Sequence, residues 1–163
     1  MPRRKAKIKA RTITQSLGPL PLRIADNFLE QLLIFTDASQ LRTGGMAAVL
    51  FSDSDAEPII ETRSVDGLGS NELELLAVLF GLLKAQMYFP IRKLTLFSDN
   101  IDAVNRMKRA KIKGIEQDPE LSVLMPGLEM LAALDRADFC WIKGHSYCRG
   151  NTLADQYARE AAC

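Results

Sequence analysis

From residue 31 onward the apolar positions fall first into short blocks separated by turn-forming residues, and then into a longer stripe of helical period. Residues 31–38 (QLLIFTDA) form a brief apolar run that ends in an acid, and their length and β-branched and aromatic content predict a buried strand. Gly44 and Gly45 mark a turn, and 46–51 predicts a second strand. The DSDAEP segment is another turn, and 58–65 predicts a third strand with partial alternation. Two tight turns in succession imply an antiparallel three-stranded meander.

The period then changes. Over 71–87, Leu73, Leu76, Ala77, Phe80, Leu83 and Ala85 lie on a helical repeat, with Ser70 as the expected N-cap and Pro90 beyond its end. Residues 93–98 (KLTLFS) predict a fourth strand, 100–109 a short helix broken by Gly114, and 119–134 a helix bent or interrupted at Pro126 and Gly127. Residues 138–142 (DFCWI) predict a fifth strand, 143–150 a loop and 151–162 a final helix. The order is βββαβααβα. Helices between the later strands require parallel crossovers, so the expected fold is α/β: a five-stranded mixed sheet, strands 1–3 antiparallel and 4–5 parallel, with helices packed on it.

Composition narrows the class. A chain of 163 residues, 47% hydrophobic and 25% charged, suits one globular domain, and no apolar run is long enough to span a bilayer. No apolar stretch with a small-residue cleavage site follows the basic start, so no secretory signal is read there and no membrane partner is expected. Six of the 21 basic residues lie in 1–11 with no acid among them, which leaves an acidic body. Residues 1–28 are expected to be a basic tail and linker, and 29–163 the folded domain. The tail fits a phosphate-binding arm and a solubilising end equally. Cys140, Cys148 and Cys163 are an odd set without framework spacing, which predicts free thiols in a reducing, cytoplasmic compartment; a monomer is expected. Zinc is disfavoured because the chain has one histidine and Cys140 sits in an apolar strand.

The chemistry resides in acids at element ends. Asp37 follows LLIFT and Asp99 follows LTLFS, each closing a buried strand. In an open α/β sheet reactive groups gather outside the carboxyl ends of parallel strands, so neighbouring strands 1 and 4 would make these acids face each other. Two poorly solvated carboxylates repel, and a divalent cation with all-oxygen ligands, Mg²⁺ or Mn²⁺, relieves them. A single such aspartate is more often a turn or cap residue; two at the ends of buried strands are harder to explain that way. Glu74 lies in the first turns of the long helix among Leu73, Leu75 and Leu76, whereas Glu72 is read as an exposed acid at the helix start. Asp155 lies one turn into the last helix, where an ordinary N-terminal acid is the alternative. His145, in a polar glycine-containing loop, is either an exposed histidine or a proton shuttle near neutral pH.

The segments FTDAS, NELELLAVLFGL, LTLFSDN and WIKGHSYCRGNTLADQYA, taken in order, resemble the ribonuclease H family, type 1, including bacterial enzymes and retroviral domains. In that family the first strand ends in TDGS or TDAS, a helix opens with Asn and then Glu-Leu-x-Ala, the fourth strand ends in SDS or TDS, and a W-x-x-GH…N-x-x-A-D segment closes the domain. The matching residues here are Thr36, Asp37, Ala38 and Ser39; Asn71, Glu74, Leu75 and Ala77; Ser98, Asp99 and Asn100; and Trp141, Gly144, His145, Asn151, Ala154 and Asp155. The resemblance covers about residues 31–162. Tyr147 replaces a small residue, the Asn71–Glu74 spacer is one residue shorter than in the best-known members, and no extended basic helix is present beyond the short 108–113 stretch.

The resemblance implies hydrolysis of the RNA strand of an RNA–DNA hybrid by two Mg²⁺ ions (Mn²⁺ as the alternative), with no small-molecule cofactor and with 5′-phosphate and 3′-hydroxyl products. It implies that Asp37 bridges both ions, that Glu74 and Asp99 hold the first and Asp155 the second, and that His145 assists proton transfer or product release. Asn71, Ser39, Asn100 and the Ala38 amide are the expected contacts to the hybrid, read through 2′-hydroxyls in a wide minor groove. Two alternatives stay open: another nuclease of the same fold, junction-resolvase or transposase-like, and a non-catalytic hybrid-binding domain.

Overall fold

The computed structural model describes residues 18–163 apart from 54–55, 126–127 and 145–147. The expectations for residues 1–17, for the break at Pro126 and Gly127, and for His145 and Tyr147 lie outside the described residues.

Strands β1 (Leu32–Gln40), β2 (Gly44–Phe51) and β3 (Ile59–Val65) form the meander, β4 (Leu94–Ser98) and β5 (Ala137–Trp141) complete the sheet, and the strand order is β3-β2-β1-β4-β5. β1 pairs antiparallel with β2 and parallel with β4, and β4 pairs parallel with β5, as the pattern predicts. The helices are α1 (Leu22–Ala25), α2 (Ser70–Tyr88), α3 (Ile101–Lys113), α4 (Pro119–Leu124), α5 (Leu128–Arg136) and α6 (Arg149–Ala161). Among the described residues, no helix is long and apolar enough to cross a membrane.

The central strands are buried on both faces, which is why β1, β2 and β4 read as nearly continuous apolar runs. Leu32 and Ile34 of β1, Met46, Ala48 and Leu50 of β2, and Leu94 and Leu96 of β4 belong to the core beneath α2 and the following helices. Their alternates Leu33, Phe35, Val49, Phe51 and Phe97 form a second cluster with Cys148 and Ala154 at the start of α6. The outer strand β3 has every residue exposed or half-buried, as befits a sheet edge.

Three details differ from the pattern-based reading. The glycine pair is not the turn. Gly44 and Gly45 lie inside β2, and the reversal is made at 41–43, where the Leu41 amide donates to the Thr43 carbonyl. A Cβ on Gly44 would overlap the Val65 carbonyl oxygen, and α6 crosses β2 so closely that a Cβ on Gly45 would overlap the Ala158 carbonyl oxygen and the Ala162 nitrogen. Gly45→Ala should therefore lower the unfolding free energy by about 2–3 kcal/mol, the range for overpacking a close contact. Urea denaturation measures this, and a loss within error of zero would mean that α6 shifts without cost. Second, α2 is capped by Gly69 rather than Ser70, and no side chain closes it. The 119–134 helix, expected to be bent or interrupted, is two, α4 and α5. Asp118 caps α4 by accepting from the Leu121 amide, and it also binds Arg106 of α3 through two bonds of 2.8 and 2.9 Å.

The third difference concerns the chain entry. A linker was expected as far as residue 28, yet Leu20 is buried, Ile24, Ala25 and Phe28 pack on the second cluster, and the Phe28 ring meets Phe97 edge-on at 5.1 Å. Pro21 does not oppose the short helix α1 because it occupies the N-cap, ahead of the residues whose amides the helix needs.

Candidate active site

Parallel pairing of β1 with β4 runs from Leu32–Leu94 to Phe35–Phe97 and then stops. β1 does not stop there: it continues against β2 through Asp37–Ala47 to Gln40–Gly44. Asp37 is thus inside a strand rather than at its end, two residues past the point where β1 and β4 part. Asp99 immediately follows the last residue of β4, at the mouth of the same opening. The backbone at Asp99 is held from both sides. The Trp141 indole N–H donates to the Asp99 carbonyl at 3.0 Å, and the Asn100 side chain accepts from the Ala103 amide at 2.9 Å to cap α3. Glu74, in the second turn of α2, reaches the opening from the other core.

Oxygens of Asp37, Glu74 and Asp99 all lie within 4.8 Å of one another, although the residues are 25 to 62 positions apart in sequence. Asp37 is 5% exposed, and Glu74 and Asp99 are half-buried. Burial first, and then the charges of Asp99 and Asp155, push the Asp37 carboxyl up to about 7, although the Ala38 amide donates to its Oδ1 at 2.9 Å. Burial, followed by the charges of Asp37 and Asp99, pushes Glu74 up to about 9. Glu74 Oε2 is buried and has no hydrogen-bond partner. An all-oxygen set of crowded carboxylates with an unmatched lone pair is the donor set of a hard divalent cation. Without a cation, the cluster relieves itself by holding a proton.

Of the four expected acids, three meet directly. Asp155 stands in α6 beside that triplet: its charge reaches Asp37, and its carboxylate pairs with Arg159 one helical turn on, at 3.3 Å. Gly144 lies against Asp99, since a Cβ there would be 3.4 Å from Oδ2, so the loop that leads to His145 leaves from the site. Among the expected hybrid contacts, Asn71 is exposed at the start of α2 and Ser39 is half-buried on β1. The Ala38 amide donates to Asp37, and the Asn100 side-chain oxygen caps α3; both residues are half-buried. Sequence reasoning matched Trp141 to the motif without giving it a task. Its bond to the Asp99 backbone needs the pairing of β4 with β5 and has no local signal. The Asp155–Arg159 pair, by contrast, was readable from its four-residue spacing.

A mixed 3-2-1-4-5 sheet with acids converging from β1, α2 and β4 defines the ribonuclease H-like fold class. The sequence matches the family described as RNase H over residues 29–163. The chain belongs to the RNase H family. A direct comparison with curated proteins gives no match. Solved structures of the same fold include RNase H1 from the halophilic archaeon Halobacterium salinarum, with 18% identity, a TM-score of 0.58, and coverage of 80% of this chain and 96% of that one. The N-terminal RNase H domain of rv2228c from Mycobacterium tuberculosis gives 19%, 0.60, 81% and 93% in the same order. LC11-RNase H1, solved in complex with an RNA/DNA hybrid, gives 14%, 0.58, 81% and 96%.

Proposed function

We propose that this protein is an endonuclease that hydrolyses the RNA strand of RNA–DNA hybrids and leaves 5′-phosphate and 3′-hydroxyl ends. The observation that carries the reading is the triplet of Asp37, Glu74 and Asp99, brought within 4.8 Å and left with an unpartnered buried oxygen on Glu74. Family membership and the hybrid bound to a protein of the same fold support it.

Asp37, Glu74 and Asp99, with Asp155 beside them, are the residues that would hold two divalent ions, Mg²⁺ or Mn²⁺. Such ions activate water and stabilise a leaving oxygen in phosphodiester hydrolysis. The protein's own part is positional. β1 and β4 separate to create the opening, Trp141 fixes the Asp99 backbone, and the Ala38 amide orients the Asp37 carboxylate. Ser39 and the exposed Asn71 flank the acids and offer polar groups to 2′-hydroxyls. His145, next to Gly144 in sequence, is proposed as the proton-transfer or product-release group.

The test is cleavage of labelled RNA–DNA hybrid, duplex DNA and duplex RNA with and without Mg²⁺. Cleavage confined to the RNA of the hybrid and dependent on the ion is expected. Cleavage of duplex DNA instead would assign the protein to another nuclease class of the same fold. Hybrid binding without turnover would make it a binding domain.

A further inference from the structure

Among the described residues no side-chain hydrogen bond of normal geometry caps the first turn of α6, although the buried Cys148 thiol lies beside the Gly150 and Asn151 amides. Cys148 occupies the N-cap position. The first amides of a helix have no partner within it and must find one elsewhere. Here the entering chain supplies it: the Arg149 amide donates to the Gly18 carbonyl at 3.3 Å and the Gly150 amide to the Pro19 carbonyl at 3.1 Å. Pro19 has no amide of its own to satisfy, and the next residue, Leu20, is buried at 2% exposure in the cluster that also holds Cys148 and Ala154.

The side chains repeat the connection. Phe28 packs edge-on against Phe97 at 5.1 Å, Phe97 stacks on Phe35 at 4.9 Å, and Phe35 lies so close beneath α6 that a Cβ on Gly150 would overlap its ring. Ala154, fully buried in the same cluster, immediately precedes Asp155. Phe35 and Phe97 stand two residues before Asp37 and Asp99 on their own strands. One aromatic stack therefore links the entering segment, the two acid-bearing strands and the start of α6.

We propose that residues 18–28 are a positioning strap: they cap and seat the start of α6, and so set where the Asp155 carboxylate stands relative to Asp37, Glu74 and Asp99. The strap touches no reacting group; it acts through α6. This inference rests on the reading of Asp155 as part of the cation-holding site. Leu20 is the anchor and Phe28 the second point of purchase.

The test uses the full chain carrying Leu20→Ala or Phe28→Ala, with Leu20→Met and Phe28→Leu as conservative partners. In the alanine variants the Arg149 and Gly150 amides should exchange with deuterium at least about ten-fold faster. Affinity for Mg²⁺ alone, measured by calorimetry, should weaken by about five-fold. In hybrid cleavage, kcat at limiting Mg²⁺ should fall while KM for the hybrid changes little, and the conservative variants should restore all three. Folded alanine variants with unchanged amide exchange, or with unchanged Mg²⁺ affinity, overturn the proposal. Arg149→Pro compared with Arg149→Ala removes the amide alone, and serves where Leu20→Ala does not fold. Proline is accepted at a first helical position, and Cys148, at φ −130° and ψ 152°, already has the conformation a following proline requires. The proline variant should exchange the Gly150 amide faster and bind Mg²⁺ more weakly than the alanine variant, and equality of the two overturns the proposal. A protein whose Mg²⁺ affinity depends on the strap but which cleaves no hybrid would uphold the strap and remove the nuclease reading.

Discussion

Asp37→Asn should abolish hybrid cleavage while leaving a protein that is more stable than the parent in the absence of divalent ions. The activity loss is expected to be about 10³-fold or more, because several kcal/mol of charge stabilisation vanish with a central carboxylate. The stability gain follows from the same geometry. Asp37 is almost fully buried, within 4.8 Å of two other acids, and its charge is opposed by burial and by Asp99. Asparagine keeps the shape and can still accept from the Ala38 amide, yet removes the repulsion. In EDTA at pH 8 its melting temperature should exceed the parent's by about 5 °C, taking about 2–4 °C per kcal/mol for a domain of this size. Its gain in melting temperature on adding Mg²⁺ should be smaller than the parent's. Full activity in the variant would take Asp37 out of the mechanism. A lower metal-free melting temperature would show that the carboxylate stabilises the fold after all.

The second large effect is on the pH dependence of stability. Asp37 and Glu74 have folded-state values of about 7 and about 9, above the ordinary 3.8 and 4.5 of an unfolded chain. Between those limits the folded state binds more protons than the unfolded state, so stability must fall as pH rises. Below about pH 4 both states are protonated and the penalty is absent. Each extra bound proton is worth about 1.4 kcal/mol per pH unit, and both carboxyls retain one over part of this interval, so the metal-free protein should lose about 5 kcal/mol or more between pH 5 and pH 8. Divalent ions compete with that proton, so the stabilisation by Mg²⁺ should grow over the same interval. Denaturant unfolding in EDTA and in Mg²⁺ at pH 5, 6.5 and 8 measures both trends. A metal-free profile that is flat or rises with pH would mean the acids are better solvated than their placement implies.

Such behaviour is opposite to that of carboxylates in salt bridges. Asp118, bound twice by Arg106, and Asp138, bonded to Lys111, are both held below the usual range and contribute stability that is lost on acidification. The molecule thus separates acids that hold the fold from acids that strain it, and the strained set is the one at the opening between β1 and β4. A strained cluster is expected where function opposes stability.

The sequence by itself determined the order of elements, the mixed sheet and the family, because apolar period and turn residues are local quantities and the motif segments lie in register with them. It also picked out Asp37 and Asp99, since an acid directly after a buried apolar run is conspicuous in one dimension. Tertiary structure alone decided the rest. That Gly45 serves a helix crossing rather than a turn depends on α6, more than a hundred residues away. The sequence favoured Glu74 over Glu72 from its apolar neighbours, but that Glu74 meets Asp37 and Asp99 depends on how α2 lies across the sheet, because helical period fixes which residues share a face but not where that face is aimed. That Leu20 and Phe28 belong to the core, and that Asp155 stands outside the triplet, are likewise decided by packing and not by any local pattern. Such contacts join residues whose separation in sequence carries no signal, and only the folded chain brings them within reach.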